Sequence, residues 1–437
     1  MIESYLMGIR RILYSLLAAC VLVGAIYTGN RFRAWKHRSL LEDADKLRLK
    51  GKWPEMEKIL RSALRFGGSD DAWRSLAQAL IRQGRIEESL DAARKCVRRG
   101  PGNAWNRVQL AEAALLSGDV ELALRTVKEG LDSAADQGPQ QTALEDLRRR
   151  SSPHVFELAW SFDKGEVPLK NGRAVVGLPT MATPFQTAEV SFRGAALRER
   201  FLLEGNWAAR LDLGTAARFE LRAKIRVRPG SLRPMMSSAP AGPSPRMEKY
   251  LGKTVHLDPQ APLARQVGEG CRKASPRESV ECLNRWFRDH LRWDINSNAV
   301  SSEAVLHQGY GNCVDLAKAF TAISRAAGVP AREVRGIWVM LPDGKLSGHS
   351  WVEVHIPGPG WVPIEPGDMS SFGRIDANKV RLFHYGFQGD EALLLLGGDN
   401  VAEQRVRFIG GRLLEDSAIS TLFGRIKGML SPSTKAP

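Results

Sequence analysis

The stretch from residue 39 to residue 150 carries a helical pattern of apolar positions that recurs three times. Its copies read LRLKGKWPEMEKIL, LIRQGRIEESLDAA and LLSGDVELALRTV, and Gly51, Gly84 and Gly118 stand 33 and 34 residues apart. A period of this length is typical of helix–turn–helix repeats, and each repeat leaves an apolar face that only a stacked neighbour can cover. We therefore predict α-helical repeats over residues 39–150, which either hold a protein or peptide partner on a short concave surface or act as a spacer.

Beyond residue 150 apolar positions alternate with polar ones, which is the pattern of half-buried strands. The clearest run is FELRAKIRV at residues 219–227, and shorter runs, separated by Gly, Pro or Asn, read FELAWSF, RAVVGLP, AEVSFRG and AARLDLG. Several short strands within about 80 residues indicate a small antiparallel β-sandwich, which we assign to residues 153–230. Four prolines in SLRPMMSSAPAGPSPRM then predict a flexible linker over residues 231–246.

Helical and strand patterns mix in residues 247–376, which indicates an α+β domain. The runs ESVECLNRWFRDHLRW and VDLAKAFTAISRAA carry apolar stripes at helical spacing, and the second run ends at Gly328 and Pro330. Three strand-like runs follow, EVRGIWVM, HSWVEVHI and GWVPIEPGD, joined by glycine-containing turns. Residues 377–437 read as further strands that complete this core, followed by the amphipathic run ISTLFGRIKGML. The whole chain is therefore predicted to be a multidomain α+β protein.

Residues 12–29, ILYSLLAACVLVGAIYTG, carry no charge and lie between arginine-containing flanks. A helix of this length is just able to cross a bilayer, so we predict a single-pass inner-membrane anchor within residues 1–38. A cleaved signal peptide and a buried helix are alternatives, and Leu-Ala-Ala-Cys ending at Cys20 has the form of a lipoprotein processing site. The Arg pair before the span is the usual export arrangement, which predicts a periplasmic or other extracytoplasmic body. The larger basic excess after the span favours the opposite orientation.

Composition narrows the classes of partner and cofactor. The net charge of +15 makes acidic partners worth considering, but the basic residues form no aromatic-interleaved patch and no nucleic-acid-binding motif is present. We therefore predict no nucleic-acid partner. The five cysteines are scattered and do not form a disulfide framework. No Cys/His cluster has zinc spacing and no glycine-rich phosphate loop occurs, so neither a metal nor a nucleotide cofactor is predicted.

Cys313 stands where a glycine-containing turn passes into the second helix of the α+β domain. The unpaired backbone N–H groups and the positive dipole end at a helix start favour a thiolate, and Gly309 and Gly311 allow a tight backbone approach. A thiolate nucleophile needs a base. His349 on the second strand and Glu365 on the third can lie side by side if the strands pair as consecutive neighbours. The predicted catalytic set is therefore Cys313, His349 and Glu365.

Four sequence blocks around these residues resemble the core of the transglutaminase-like superfamily of papain-fold cysteine enzymes. The blocks are Gly311-Asn312-Cys313, Arg325 through Arg332, His349-Ser350-Trp351-Val352-Glu353-Val354 and Gly360-Trp361-Val362-Pro363-Ile364-Glu365-Pro366. The helical repeats resemble tetratricopeptide repeats at Trp73, Leu76, Ala77, Leu80, Gly84 and Pro101, and again at Leu110, Ala111, Gly118 and Ala123. The preceding sandwich also resembles the β-rich domain that often comes before such cores in bacterial proteins.

The resemblance implies a papain-like core over residues 247–376 that transfers an acyl group from an amide or peptide bond through a thioester. Family members usually carry an aspartate where this chain has Glu365, and Asp368 is a second candidate for that role. Gln308 and Tyr310 are candidates for an oxyanion donor or a substrate wall. A peptidase or amidase acting on a protein or peptide is the first expectation, and a cross-linking transglutaminase is the second. The third is a catalytically degenerate scaffold that binds a partner through its repeats.

Overall fold

The computed structural model describes residues 27–133, 138–163, 169–170, 173–203, 205–236, 245–340, 345–384 and 406–413. The chain divides into two compact units, Met1–Ala113 and Ala114–Pro437. The predicted membrane anchor lies outside the described residues except at its last three positions, and so does the amphipathic run near the C terminus. In the part of the chain that is described, no helix is both long enough and apolar enough to cross a membrane.

The predicted repeat region is helical throughout its described residues. Its helices are α1 (27–49), α2 (Trp53–Phe66), α3 (Asp70–Arg82), α4 (Ile86–Arg99), α5 (Ala104–Ser117), α6 (Val120–Ser133) and α7 (Pro139–Ser151). Gly51, Gly84 and Gly118 have φ values of 67°, 77° and 94°, and this left-handed conformation ends one helix before the next begins. Ser89 Oγ donates to the buried carbonyl oxygen of Ala77 at 2.9 Å, so α3 and α4 pack closely. This is the helix–turn–helix order that the repeat period predicts.

Strands from residues 153–231 supply most of two four-stranded antiparallel sheets. They are β1 (His154–Asp163), β2 (Leu169–Lys170), β3 (Arg173–Gly177), β4 (Gln186–Arg193), β5 (Ala196–Leu203), β6 (Asn206–Asp212), β7 (Arg218–Val227) and the short β8 (Gly230–Ser231). One sheet has the order β2-β3-β6-β5, and in the other β7 lies between β1 and β4. Trp160 of β1, Leu211 of β6 and Leu221 of β7 belong to one apolar cluster, so the two sheets share a core.

The α+β domain packs its helices against a third four-stranded sheet. Its elements are α8 (Pro262–Cys271), α9 (Pro276–His290), β9 (Arg292–Trp293), α10 (Ser302–Gln308), β10 (Tyr310–Gly311), α11 (Cys313–Ala326), β11 (Ala331–Met340), β12 (Lys345–Ile356), β13 (Gly360–Ile364), β14 (Arg374–Ile375) and β15 (Lys379–His384). The sheet order is β13-β12-β11-β15, and each pair is antiparallel. Phe320 and Ile323 of α11 are fully buried, and Phe320 meets Phe287 of α9 edge-on at 5.4 Å. α11 is therefore the central helix of this domain.

Two predicted segments behave differently from what their sequences indicate. β15 joins the core sheet, as predicted for residues 377–437, but β16 (Val406–Leu413) pairs with β1 of the sandwich instead. Residues 231–236 are anchored rather than flexible, because β8 pairs with β14 and buried Arg233 donates from Nε to the Phe372 carbonyl oxygen at 2.9 Å. An alternating strand pattern does not tell which sheet edge it will join, and proline content does not reveal such long-range bonds.

A disulfide joins Cys271 at the end of α8 to Cys282 in α9. This corrects the prediction that the five cysteines form no disulfide framework. The two cysteines are separated by 11 residues in sequence, and packing of α8 against α9 brings their Cα atoms to 5.4 Å. Sequence spacing alone does not show this proximity, because it depends on how the two helices turn toward each other.

Loss of this disulfide is expected to destabilise the α+β domain by about 3 kcal/mol, the chain-entropy value for a loop of this length. Urea unfolding of the full chain, followed by tryptophan fluorescence with and without a reductant, measures the effect. The Cys271→Ser/Cys282→Ser variant should unfold at the midpoint of the reduced wild type, whether or not reductant is present. An oxidised wild type that unfolds together with the reduced protein would contradict the expectation.

Candidate active site

The start of α11 is built by local signals in the sequence. Gly309 ends α10 in the left-handed conformation with φ of 76°. Asn312 caps α11, because its Oδ1 accepts hydrogen bonds from the backbone N–H groups of Val314 at 2.9 Å and Asp315 at 3.1 Å. The Asp315 carboxylate in turn accepts from the Asn312 N–H, which completes a capping box. Cys313 is therefore the first residue of the helix, as the sequence predicts.

Cys313 is partly buried and contacts the side chain of His349. Burial by itself raises the pKa of the thiol. The hydrogen bond and positive charge of His349, together with a hydrogen bond from the Ser350 N–H and the charge of Arg335, outweigh burial and lower the pKa of Cys313 below its usual value. This side chain is therefore poised to ionise, which is the property that a nucleophilic cysteine needs.

His349 connects Cys313 to Glu365. Its Nε2 lies 3.1 Å and 3.0 Å from the two carboxylate oxygens of Glu365, which leaves Nδ1 for the thiol. Burial lowers the pKa of the imidazole, but the hydrogen bonds to Cys313 and Glu365 and the negative charge of Glu365 raise it to about 9. The three predicted residues thus lie in one contact chain. His349 occupies the middle of β12, whereas the sequence places it at the start of a strand.

Strand register brings His349 and Glu365 together. β12 pairs antiparallel with β13, with Val352 opposite Ile364 and Glu353 opposite Pro363. Continuing this register one position beyond β13 places Glu365 beside Trp351, on the same sheet face as His349. Asp368, the second candidate for the acid, lies elsewhere, since its carboxylate accepts from Ser370 and approaches Arg374 at 3.5 Å. The acid that contacts His349 is therefore Glu365.

A buried lysine that sequence reasoning missed also contacts Glu365. Lys379 Nζ lies 2.6 Å from Glu365 Oε1 and 2.8 Å from Asp376 Oδ2, and Arg374 Nε lies 2.9 Å from Asp376 Oδ1. Burial raises the pKa of Glu365, but the charges of Lys379 and His349 lower it to about 2. No local motif marks Lys379, because it reaches the site from β15, on the far side of β11 from β12.

Gln308 ends α10 and Tyr310 begins the short strand β10, just before Cys313. The Gln308 amide nitrogen donates to the Tyr310 carbonyl oxygen at 2.7 Å and to Ser297 Oγ at 3.2 Å. Since both amide hydrogens are engaged in this way, the arrangement does not favour the predicted role of Gln308 as an oxyanion donor. Tyr310 is exposed, and its predicted role as a substrate wall stays a prediction.

Exposed apolar side chains gather in the segment that borders this stretch of chain. Trp293 and Ile295 are 63% and 68% exposed. Their segment is fixed to the Cys313 loop by backbone hydrogen bonds, from Arg292 N–H to the Gly309 carbonyl oxygen and from Asp294 N–H to the Gly311 carbonyl oxygen. Exposed apolar side chains that cluster beside a candidate site are typical of a binding surface.

The sheet face that carries His349 also carries a second buried charge cluster and a cavity, which Glu365 and Lys379 help to line. Glu353 lies between Arg332 and Arg381, at 2.7 Å and 2.8 Å. The cavity, of about 400 Å³, is lined by these residues together with Trp207 and Trp361. Among the described residues, no group of three or more His, Cys, Asp or Glu side chains is placed to hold a metal ion.

Comparison with known proteins agrees with the division into repeats and core. Residues 262–366 match the family model of the transglutaminase-like superfamily, and residues 70–113 match that of the tetratricopeptide repeat. A protein of Haemophilus influenzae, described only as uncharacterized, is 22% identical over 270 residues, which cover 52% of this chain and 72% of that protein.

Solved structures also align with parts of the chain. A candidate cysteine protease from Cytophaga hutchinsonii aligns at 13% identity and a TM-score of 0.40, over 60% of this chain and 88% of its own. The TPR2B domain of yeast Sti1 in its pHsp70 complex aligns at 16% identity and a TM-score of 0.25, over 26% of this chain and 93% of its own. These scores are too low to bear on function. The two family matches confirm the resemblance seen in the sequence: the chain carries a transglutaminase-like domain at residues 262–366 and a tetratricopeptide repeat at residues 70–113.

Proposed function

We propose that the chain is a cysteine enzyme that transfers the acyl group of an amide or peptide bond to Cys313 and then to water. The observation that carries this proposal is the contact chain from Cys313 through His349 to Glu365, with a lowered pKa at the thiol and a pKa of about 9 at the imidazole. A thiolate beside an imidazolium is the reactive form of a nucleophilic cysteine.

In the first half of the reaction the Cys313 thiolate adds to the carbonyl carbon of the substrate. As the carbon–nitrogen bond breaks, the imidazolium of His349 gives its Nδ1 proton to the departing amine, which leaves a thioester and a neutral imidazole. Glu365 holds the ring through Nε2 and compensates its positive charge. The positive dipole end of α11 lies at the reacting sulfur, where negative charge develops on the substrate oxygen.

In the second half water replaces the amine. His349 takes a proton from the water molecule as its oxygen attacks the thioester, and the carbon–sulfur bond breaks to release a carboxylic acid and the Cys313 thiolate. The sum is amide plus water to acid plus amine. An amine in place of water gives a cross-link instead, because both outcomes share the same thioester.

The exposed apolar segment supports a substrate that presents apolar side chains near the scissile bond. Trp293 and Ile295 lie on the segment fixed to the Cys313 loop, and exposed Trp338 stands 5.4 Å from the His349 ring. An extended peptide with apolar residues would cover these side chains, and removal of their apolar area from water favours binding. The helical repeats, whose family is one of protein-interaction modules, are proposed to hold a protein partner or the same substrate.

Location and attachment remain part of the proposal. The disulfide between Cys271 and Cys282 supports an oxidising compartment for the transglutaminase-like domain, because such bonds persist outside the cytoplasm. This agrees with the extracytoplasmic body expected from the sequence. We propose that residues 12–29 attach the protein to the inner membrane.

A direct test compares the fate of the acyl group. The purified full chain is incubated with a panel of peptide amides and an equal concentration of a biotinylated primary amine, and products are identified by mass spectrometry. Free acid as the main product is expected. Amine conjugate as the main product would make the enzyme a transferase. No turnover together with an unreactive Cys313 would leave the scaffold function.

The pH dependence of this turnover follows from His349. The imidazole must be protonated to release the amine, and its pKa of about 9 keeps it protonated at neutral pH. Turnover is therefore expected to fall as the pH rises through about 9, where His349 loses its proton. On the acid side turnover should fall only below the lowered pKa of Cys313, where the thiolate is protonated. Measurement of kcat/KM from about pH 5 to about pH 10 checks this, since the profile reports the free enzyme. A basic limb near the ordinary histidine value of about 6.5 would contradict the ion pair.

A further inference from the structure

The Glu365 carboxylate lies between two cations that come from different strands. His349 Nε2 is 3.0 Å from Glu365 Oε2, and Lys379 Nζ is 2.6 Å from Glu365 Oε1. The Lys379 side chain is only 14% exposed, so this contact is an internal one. Building on the proposed function, we propose that Lys379 is a positioning residue that holds Glu365 against His349. Its positive charge also weakens the stabilisation that the Glu365 carboxylate gives to the protonated His349 ring.

The geometry fixes Lys379 from several sides. It begins β15, where it lies opposite Trp338 of β11. The Trp338 ring stands 5.6 Å from Lys379 Nζ and 5.4 Å from the His349 ring, so one indole borders both cationic partners of Glu365. Asp376 accepts a second contact from Lys379 at 2.8 Å and is itself held by Arg374 at 2.9 Å. The lysine therefore has one defined position beside the carboxylate.

This arrangement gives a physical reason for a glutamate at the triad acid. A glutamate has one more rotatable bond than an aspartate, and holding its carboxylate in one place costs more side-chain entropy. A second charged contact at Oε1 fixes the carboxylate, both of whose oxygens also lie within 3.1 Å of His349 Nε2. The longer glutamate side chain thus reaches His349 and Lys379 at once. Its extra rotatable bond would let the carboxylate move, and the contact with Lys379 holds the carboxylate in place.

Lys379 also affects the proton on His349. A carboxylate whose only partner is the imidazolium holds that proton with its full charge, whereas the ammonium of Lys379 opposes the carboxylate field at the ring. Cys313 of α11 and Glu365 are the other groups that act on His349. The remaining charged groups of the cluster act at one remove: Arg335 of β11 on Cys313, Asp368 on Arg374 of β14, Arg374 and Asp376 on Lys379, and Arg150 of α7 on Asp376. Within this set of groups, the two cations in direct contact with Glu365 are His349 and Lys379.

The test follows alkylation of Cys313 by iodoacetate in the full-length protein, with the modified peptide quantified by mass spectrometry across pH. The rate rises as the thiolate forms and falls as His349 loses the positive charge that attracts this anionic reagent. The basic limb of the wild type is expected at about 9. In Lys379→Met the limb should move upward by about one pH unit, because the carboxylate then acts on His349 unopposed. In Lys379→Arg, which keeps the charge, it should stay within about 0.3 units.

A matched variant guards against misfolding. Lys379→Met leaves an excess acid in a buried site, whereas Lys379→Met/Asp376→Asn removes one cation and one anion together and should show the same upward shift. Suppose the wild type gives a bell-shaped pH profile of alkylation, and the folded Lys379 variants keep its basic limb at the same pH. That result would overturn the role of Lys379 and leave the proposed function standing. A wild-type Cys313 that titrates as an isolated thiol near about 8.5 would overturn the proposed function, and the role of Lys379 with it.

Discussion

Replacement of Cys313 by alanine is expected to lower amide turnover by at least about 10⁴-fold, which is the scale seen when a triad nucleophile is removed. The reason is that the thiolate forms the only covalent bond to the acyl group in the proposed mechanism. Cys313→Ser, which keeps the shape but not the low pKa, should be nearly as inactive, because a hydroxyl in this site stays protonated.

Labelling by a chloroacetamide probe, read at the level of individual peptides, accompanies the kinetic measurement. Cys313 should react in the wild type and dominate the labelling at neutral pH. Cys96→Ser is the matched control: Cys96 is buried and burial raises the pKa of its thiol to about 12, so the variant should keep both turnover and labelling. Equal turnover in wild type and Cys313→Ala would exclude Cys313 as the nucleophile.

Glu365→Gln is expected to lower turnover between about 10²-fold and about 10⁴-fold, by analogy with the neutral replacement of a triad acid. A glutamine amide is uncharged, so it no longer stabilises the imidazolium, while the Lys379 ammonium stays beside the ring. The pKa of His349 should therefore fall from about 9 toward or below its ordinary value, and the basic limb of the pH profile should fall with it.

Asp368→Asn is the control for this prediction. Asp368 contacts Arg374 and Ser370 rather than His349, so its neutral form should retain turnover within about threefold of the wild type and leave the basic limb in place. The reverse result, a mild Glu365→Gln and a severe Asp368→Asn, would move the acid role to Asp368. The pair of variants thus decides which carboxylate serves His349.

Local signals in the sequence were sufficient for the start of the nucleophile helix. Asn312 and Asp315 have the side chains of a capping box, and Gly309 takes the left-handed conformation that ends the preceding helix. The same holds for the contact between His349 and Glu365, which follows from antiparallel pairing of two strands joined by a short turn. Both features depend on residues within 16 positions of each other, where spacing and turn chemistry limit the possible arrangements.

Three contacts were decided by which elements pack together rather than by spacing in sequence, since Glu365 and Lys379 are only 14 residues apart and Cys271 and Cys282 only 11. Lys379 meets Glu365 because β15 pairs with β11. Along the chain β15 follows β13 with only the short β14 between them, yet β15 and β13 do not pair. β16 joins β1 of the sandwich although some 240 residues separate them, as the paired positions Trp160 and Val406 show. Cys271 meets Cys282 through the packing of two helices.

The sequence by itself determined the helical repeats, the strand-rich region, the α+β core and the contact of Cys313, His349 and Glu365 within it. Each depends on a period, a cap or a register that acts over a few residues. Only the tertiary structure decided that the core contains a disulfide and that Glu365 has a second cationic partner in Lys379. These depend on which surfaces pack together, and hydrophobic patterning shows that a face is buried without showing what it is buried against.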